Sequence, residues 1–285
     1  MGSEVNPAVY VPGATTANTN QRRVLYRQNP VSGAYYASIN QADEGSNAHY
    51  NALLVSLEHR LSRGFTLLAN YTDSNCITDL DFTGELGGSP NSVPYNRSAD
   101  RGLCNFDYRH IFNLSLVASS SVNGSPWMRR LLGNWRIAPI MRATSGQALS
   151  VTSGRDNSLT GMNNDRPLQV LDNVYATSRA CPLSTVCVAW LAPAGTAFVQ
   201  NPTGSPGNVG RDSVRGPGPV NFDLSLSRVF PLQEWVRLEA RFEAFNAINH
   251  ANFSNPNTNL TSSTFGTINN TSDPRILQFA LKLHF

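Results

Sequence analysis

Apolar and polar positions alternate with a period of two along residues 275–285. Leu277, Phe279, Leu281, Leu283 and Phe285 share one face, and Gln278, Ala280, Lys282 and His284 share the other. Residues 235–245 repeat the pattern. Val236, Leu238, Ala240, Phe242 and Ala244 alternate with Arg237, Glu239, Arg241 and Glu243. Residues 220–229 follow with Val220, Phe222, Leu224 and Leu226 against Asn221, Asp223, Ser225 and Ser227. Weaker versions occupy 49–60, 64–75, 106–118 and 134–151. This makes seven predicted strands, each about ten residues or longer, the length a tilted strand needs to cross a bilayer. Residues 35–40 add a candidate loop strand. Helical spacing is nearly absent, and the one serious candidate is Pro126–Leu132, started by Pro126 and stopped by Gly133.

The connections sharpen the picture. In order they cover 61–63, 76–105, 119–133, 152–219, 230–234 and 248–274, so short and long segments largely alternate. A compact water-soluble domain rarely carries a 68-residue connection such as 152–219. Outer-membrane barrels do, with long outer loops and short periplasmic turns. Four charges on one face of 235–245 require water on that side, which points the Arg237, Glu239, Arg241 and Glu243 row into a lumen. A water-soluble β-sandwich binding glycans also alternates polar and apolar residues and remains the rival reading.

Composition supports strands and turns. Only 14% of residues are charged, whereas Asn occurs 30 times beside 21 Gly and 17 Pro. With net charge +3 and 9% aromatic residues the chain is not of the disordered class. The cations are 21 Arg and the single Lys282, too scattered for a nucleic-acid partner. Lys282 has no glycine frame before it, which excludes a phosphate-binding P-loop. No apolar run reaches the roughly twenty residues of a membrane helix, and the N-terminus lacks the basic start and apolar core of an export signal.

Cys76, Cys104, Cys181 and Cys187 contain no C-x-x-C, so zinc is not expected. They read instead as two disulfides, Cys76–Cys104 and Cys181–Cys187, which requires an oxidising compartment. Asp107 and His110 form the only local acid–base pair, without a nucleophile or a third orienting group. A strand-entry cluster is the plainer reading. The run from Asp156 to Gly161 has the oxygen spacing of a calcium loop, but the twelfth position is Pro167 rather than Glu. The expectation is therefore a protein without catalysis and without a cofactor. Trp135, Trp235, Tyr71 and Tyr108 fall near strand ends, where an interfacial aromatic belt accounts for them.

Several words carry a family resemblance. They are Tyr50-Asn-Ala-Leu-Leu-Val-Ser-Leu-Glu-His-Arg-Leu-Ser-Arg-Gly-Phe65, Asn70-Tyr-Thr-Asp-Ser74, Asp107-Tyr-Arg-His110, Gly133-Asn-Trp135 and Ser145-Gly-Gln147. The most specific is Glu239-Ala-Arg-Phe-Glu-Ala-Phe-Asn-Ala-Ile-Asn-His-Ala-Asn-Phe253, followed by Phe265-Gly266, Pro274-Arg275 and the terminal Phe285. From about Val5 onward the chain resembles the C-terminal part of TonB-dependent receptor barrels. The likeness is to the Oar-like group, which often carries a carboxypeptidase-regulatory-like domain. The resemblance implies the last seven or eight strands of an antiparallel transmembrane barrel of about 22 strands. Residues 49–285 would form that barrel portion, and 1–48 an extracellular loop or incomplete N-terminal segment. It further implies nutrient uptake across the outer membrane. An inner-membrane energy-coupling complex would act through a plug outside this chain, consistent with a truncated or mis-started receptor. The final strand, with Phe279, Leu281, Leu283 and Phe285, looks like the signal read by the barrel assembly machinery. The expected partners are thus outer-membrane lipid, that machinery and an unidentified nutrient.

Overall fold

The computed structural model describes residues 2–285 except 43, 61–63, 80–90, 121–124, 163–164, 184–185 and 234. The predicted turn at 61–63 therefore lies outside the described residues, as do parts of the connections 76–105, 119–133 and 230–234. Seven long strands form: β1 (Ala48–Arg60), β2 (Phe65–Thr78), β3 (His110–Ser119), β4 (Trp135–Thr144), β5 (Val220–Pro231), β6 (Arg237–Phe245) and β7 (Ile276–His284). They lie side by side in chain order, and every neighbouring pair is antiparallel. The result is one up-and-down meander. The outermost strands β1 and β7 do not pair with each other, so the barrel is not closed.

Register converts the period-two sequence into two chemically different surfaces. Ile137, Leu226, Phe242 and Phe279 stand in one transverse row. Leu57, Ala69, Leu114, Met141 and Phe222 stand in another on the same face. One residue along, the opposite face carries the row Ser56, Asn70, Asn113, Arg142 and Asn221. A slip of one residue in any strand would put its apolar set into the polar face, which is why the pattern fixes the pairing so firmly. The apolar face has no second layer among the described residues: Phe279 is 77% exposed, Leu281 76% and Leu53 61%. A β-sandwich buries that face against another sheet. The sandwich alternative is therefore overturned, and the bare face is that of a membrane sheet. At 13 residues and ~3.4 Å per residue, β1 reaches about 44 Å, enough to cross an apolar band of about 25 Å at a tilt.

Two strand boundaries differ most from the sequence expectation. Strand β3 starts at His110 rather than 106, because Asp107 is drawn out of the ladder into a buried ion pair described below. Strand β4 ends at Thr144 rather than 151. Beyond it, Ala148–Leu149 pairs with Val214–Arg215 in a separate two-stranded ladder, so the apolar pattern continues while the chain changes sheets. The candidate loop strand at 35–40 is displaced to Asn40–Ala42, which pairs with Gly2–Glu4. The helix Pro126–Leu132 forms as read, and Gly133 Nα–H closes its last turn on the Arg129 carbonyl at 3.0 Å. Two shorter helices, Val24–Gln28 and Pro30–Gly33, escaped the periodicity because neither is long enough to show it. The second did have a local signal. Asn29 precedes Pro30, and its side chain accepts from the Val31 and Ser32 amides.

All the large irregular segments lie at one end of the sheet. The N-terminal segment enters β1 there, and the connections β2–β3, β4–β5 and β6–β7 leave and return there. The opposite end holds β1–β2, the β3–β4 connection with its helix, and β5–β6. The long segments pack on one another into a cap with its own core of Val151, Val174, Leu191, Phe198, Val214 and Phe265, among others. The molecule's buried apolar cluster is therefore in the loops, while the sheet reserves its apolar residues for lipid.

The two faces predict opposite responses to the same charge. Leu224→Arg, on the apolar face at mid-strand, should destabilise the sheet in phospholipid vesicles by about 2–4 kcal/mol. Its neighbour Ser225→Arg, on the polar face, should stay within about 0.5 kcal/mol. Guanidinium unfolding of both variants in vesicles measures the difference, and equal costs would contradict the assignment of faces.

Candidate functional site

The cap is built where side chains can collect backbone carbonyls that no ladder satisfies. Arg22 Nη1 donates to the carbonyls of Leu159 at 2.7 Å and Val9 at 2.9 Å, tying the N-terminal segment to the β4–β5 connection. Arg166 Nε donates to the Val209 carbonyl and Nη2 to the Ala99 carbonyl, while Nη1 pairs with Asp100. Arg211 Nη2 donates to the Thr78 carbonyl at the end of β2. A guanidinium has five donors in a fixed planar fork and stays charged, so one side chain can hold three segments. A lysine ammonium has no such fork. The preference for Arg over Lys in this chain thus has a structural use in its loops.

Arg215 joins cap to sheet. Its Nη2 meets Asp107 Oδ2 at 2.6 Å, and its Nη1 donates to the Gly146 carbonyl at 3.0 Å. Asp107 is buried, and its other oxygen accepts the Cys76 amide at 2.9 Å. The backbones cross closely here: a Cβ on Gly146 would run into the Gly216 carbonyl, which explains the glycine of the Ser145-Gly-Gln147 word. The Arg215 amide in turn donates to the Tyr175 hydroxyl at 3.0 Å, and the Trp190 indole donates to the Arg215 carbonyl at 2.8 Å. Tyr175 and Trp190 meet edge to face, with the Arg179 guanidinium 4.0 Å above the Trp190 ring.

This aromatic pair stands beside the candidate site, a cavity of about 700 Å³ in the cap. Its walls include Tyr175, Ala176, Leu183, Leu191, Pro193 and Phe265, with Asn173, Ser178 and Thr196 supplying polar atoms. The volume lies within the usual range of small-ligand pockets, and a mainly apolar wall with few polar groups suits an apolar ligand carrying hydroxyl or carbonyl edges. The Cys181–Cys187 loop contributes Pro182 and Leu183 to the rim.

The sequence-predicted residues divide between this cap and the sheet. Cys76 and Cys104 are joined with a Cα–Cα distance of 5.4 Å, and Cys181 and Cys187 with 5.0 Å. The first bridge closes the β2–β3 connection at its base, where the Cys104 amide also donates to the Cys76 carbonyl. The second closes the cavity-rim loop. Arg237, Glu239, Arg241 and Glu243 share the polar face of β6. Arg241 pairs with Glu239 at 2.7 Å and with Glu243 at 3.7 Å, and His284 on β7 lies 3.3 Å from Glu239. Phe279, Leu281 and Leu283 are on the apolar face of β7, and Phe285 follows its end, 91% exposed.

Other candidates are not brought together. Asp107 is engaged by Arg215 and the Cys76 amide, whereas His110 Nδ1 lies 2.9 Å from the Tyr71 hydroxyl. The two side chains are thus held by different partners. In the 156–161 loop, Asp156 accepts the Thr160 and Gly161 amides, and Asp165 accepts the Ser158 amide and hydroxyl. Burial pushes the Asp165 carboxyl above its ordinary range, against the pull of the Ser158 hydrogen bonds. These oxygens already cap a turn, and among the described residues no group of three or more acidic, Cys or His side chains could hold a metal. The sequence reading missed Arg215, Arg166 and the cavity itself. Only the composition hinted at the arginines, and the cavity walls come from segments with no shared pattern.

Non-reduced peptide mapping should recover both bridges and no free thiol. Replacing Cys76 and Cys104 by Ser should cost about 3.5 kcal/mol and replacing Cys181 and Cys187 about 2 kcal/mol, from the entropy of loops closed across separations of 28 and 6 residues. Asp107→Ala should destabilise the cap by about 3–5 kcal/mol, because it strands the Arg215 charge beside a buried joint. Denaturant midpoints of the variants rank the three effects, and an unshifted Asp107→Ala midpoint would remove Arg215 as the joint.

Comparison with known proteins shows a family. A family model described as an outer membrane beta barrel domain matches residues 2–278. No curated protein matches the chain, and no solved structure does.

Proposed function

Because the chain belongs to the outer membrane beta barrel domain family, and is thus a protein of the outer membrane, we propose that it is the barrel portion of a nutrient receptor. The finer assignment is to the TonB-dependent, Oar-like group, and it rests on the words running from Glu239 to Phe253 and on the terminal Phe285. In barrels of this kind the long loops face outward and the short turns face the periplasm. The cap then points to the medium and the polar face of the sheet lines the lumen. The Arg237, Glu239, Arg241 and Glu243 row becomes part of the lumen wall, where alternating signs keep the strand neutral while hydrated.

The observation that carries the reading is a walled cavity in a cap of loops that has its own apolar core and two disulfide bridges. The core and the bridges hold the shape of the loop assembly. A receptor needs this, because capture requires a pocket whose shape survives on the cell surface. Captured nutrient would then pass along the polar face, with release driven by the energy-coupling complex acting through a plug domain. In this reading no bond is made or broken in the ligand. The apolar row of β7 ending in Phe285 serves the assembly machinery.

Growth under nutrient limitation tests the proposal. Disruption of the gene should slow growth on one class of scarce nutrient, and loss of the energy-coupling complex should give the same defect. Restoring the wild-type chain should rescue growth. Ala176→Trp, which fills the cavity, should lower uptake at least about tenfold at equal outer-membrane level, in line with the loss of one well-placed ligand contact. Unchanged growth across carbon, metal and vitamin limitation would sink the receptor reading.

A further inference from the structure

Strand β5 breaks its own pattern once. Val220, Phe222, Leu224, Leu226 and Phe230 occupy the apolar face, and the position between the last two is Arg228. It lies opposite Trp135 of β4 and Ala240 of β6, near the short-turn end of the sheet. The guanidinium carbon is 5.1 Å from the Trp135 ring centre and 4.7 Å from that of Phe230. Two aromatic faces hold the cation, yet Nε is buried without a hydrogen-bond partner. A charge at this position on a lipid-facing surface is costly unless it reaches the interface or meets an anion.

The helix Pro126–Leu132 brings two more cations to the same place. Arg129, Arg130 and Arg228 line one cavity of about 650 Å³, with Asn134 and Phe230 in its wall. Among the described residues none of the three arginines has an ion-pair partner. Trp127 and Leu131 of the same helix are 65% and 60% exposed, which suits a helix lying at the edge of the hydrocarbon. A second groove of about 610 Å³ runs from Arg228 and Phe230 over the apolar face, walled by Leu226, Phe242, Phe279 and Leu281. Thus a tricationic recess opens directly onto an apolar channel, and the two share Arg228 and Phe230.

We propose that Arg129, Arg130 and Arg228 bind the phosphate of a membrane glycerophospholipid, one acyl chain of which lies in the groove over Phe242 and Phe279. The site rests on the outer-membrane placement and on the short turns facing the periplasm, so the lipid comes from the periplasmic leaflet. It does not depend on the transport reading. Guanidinium groups suit phosphate because each offers paired donors to its oxygens. The aromatic contacts hold the Arg228 guanidinium in place, and its buried Nε still lacks an acceptor. No other chemistry fits both halves: a free anion leaves the groove unused, and a neutral lipid leaves three charges unanswered.

Native mass spectrometry of the full chain in detergent, titrated with phosphatidylglycerol, tests the site. One lipid should be retained per chain. Each arginine is expected to contribute about fivefold, so R129Q/R130Q/R228Q should weaken retention about a hundredfold. R129Q/R130Q, confined to the surface helix, should weaken it about 25-fold even if R228Q disturbs folding. R136Q, on the polar face of β4 beside Trp135, should bind as the wild type does. Undiminished retention by the triple variant would overturn the proposal. So would displacement of the lipid by millimolar inorganic phosphate, which would mark a plain anion site. Growth on limiting nutrient is a separate readout, so failure here leaves the receptor reading standing.

Discussion

A strand inside hydrocarbon has no water to satisfy its backbone, so every N–H and C=O must be passed to a neighbouring strand. That constraint explains the continuous meander of β1 to β7 and the tight register that accompanies it. It also explains where the apolar residues go. In a water-soluble protein the largest side chains would converge on a core, but Phe279, Leu281 and Leu53 remain bare because lipid is their solvent. The buried apolar cluster of Val151, Leu191, Phe198 and Phe265 then has to form outside the membrane, in the loops.

A cap made of loops faces the opposite difficulty. Its ladders are only two or three residues long, so most of its carbonyls lack regular partners. The chain answers with side chains. Arg22, Arg166, Arg211 and Arg215 each collect carbonyls from segments far apart in sequence, and asparagines do the same over shorter distances. Asn246, for example, accepts the His250 amide and donates to the His250 carbonyl. The buried Asp107–Arg215 pair is the joint between the two regimes, since it touches the Cys76 bridge on the sheet side and the Tyr175–Trp190 pair on the cavity side. Cap and membrane sheet are therefore one connected structure.

Arginine has three uses here that depend on surroundings. On β6 it stands in a hydrated row, paired with glutamates two positions away. In the cap it is buried and serves carbonyls. At Arg228 it faces the lipid side, held between two aromatic rings. The same side chain suits all three because its charge is permanent and its donors are fixed in a plane, while its stem tolerates apolar neighbours.

The sequence alone determined the seven strands, their faces and the alternation of long and short connections, because a period of two in side-chain polarity follows directly from strand geometry and needs no knowledge of partners. It also determined the helix from Pro126 and the two cysteine pairs. Arg228 was passed over, although a charge at an apolar-parity position was its signal. The tertiary structure decided the rest. Strand β3 starts late and β4 stops early because Asp107 and Ala148 find partners more than sixty residues away, at Arg215 and its own strand. The cavity has walls from 171–196 and 262–267, stretches without a common period. Local pattern records which surface a residue shows to solvent or lipid. Which distant loop folds over it depends on packing that only the assembled chain specifies.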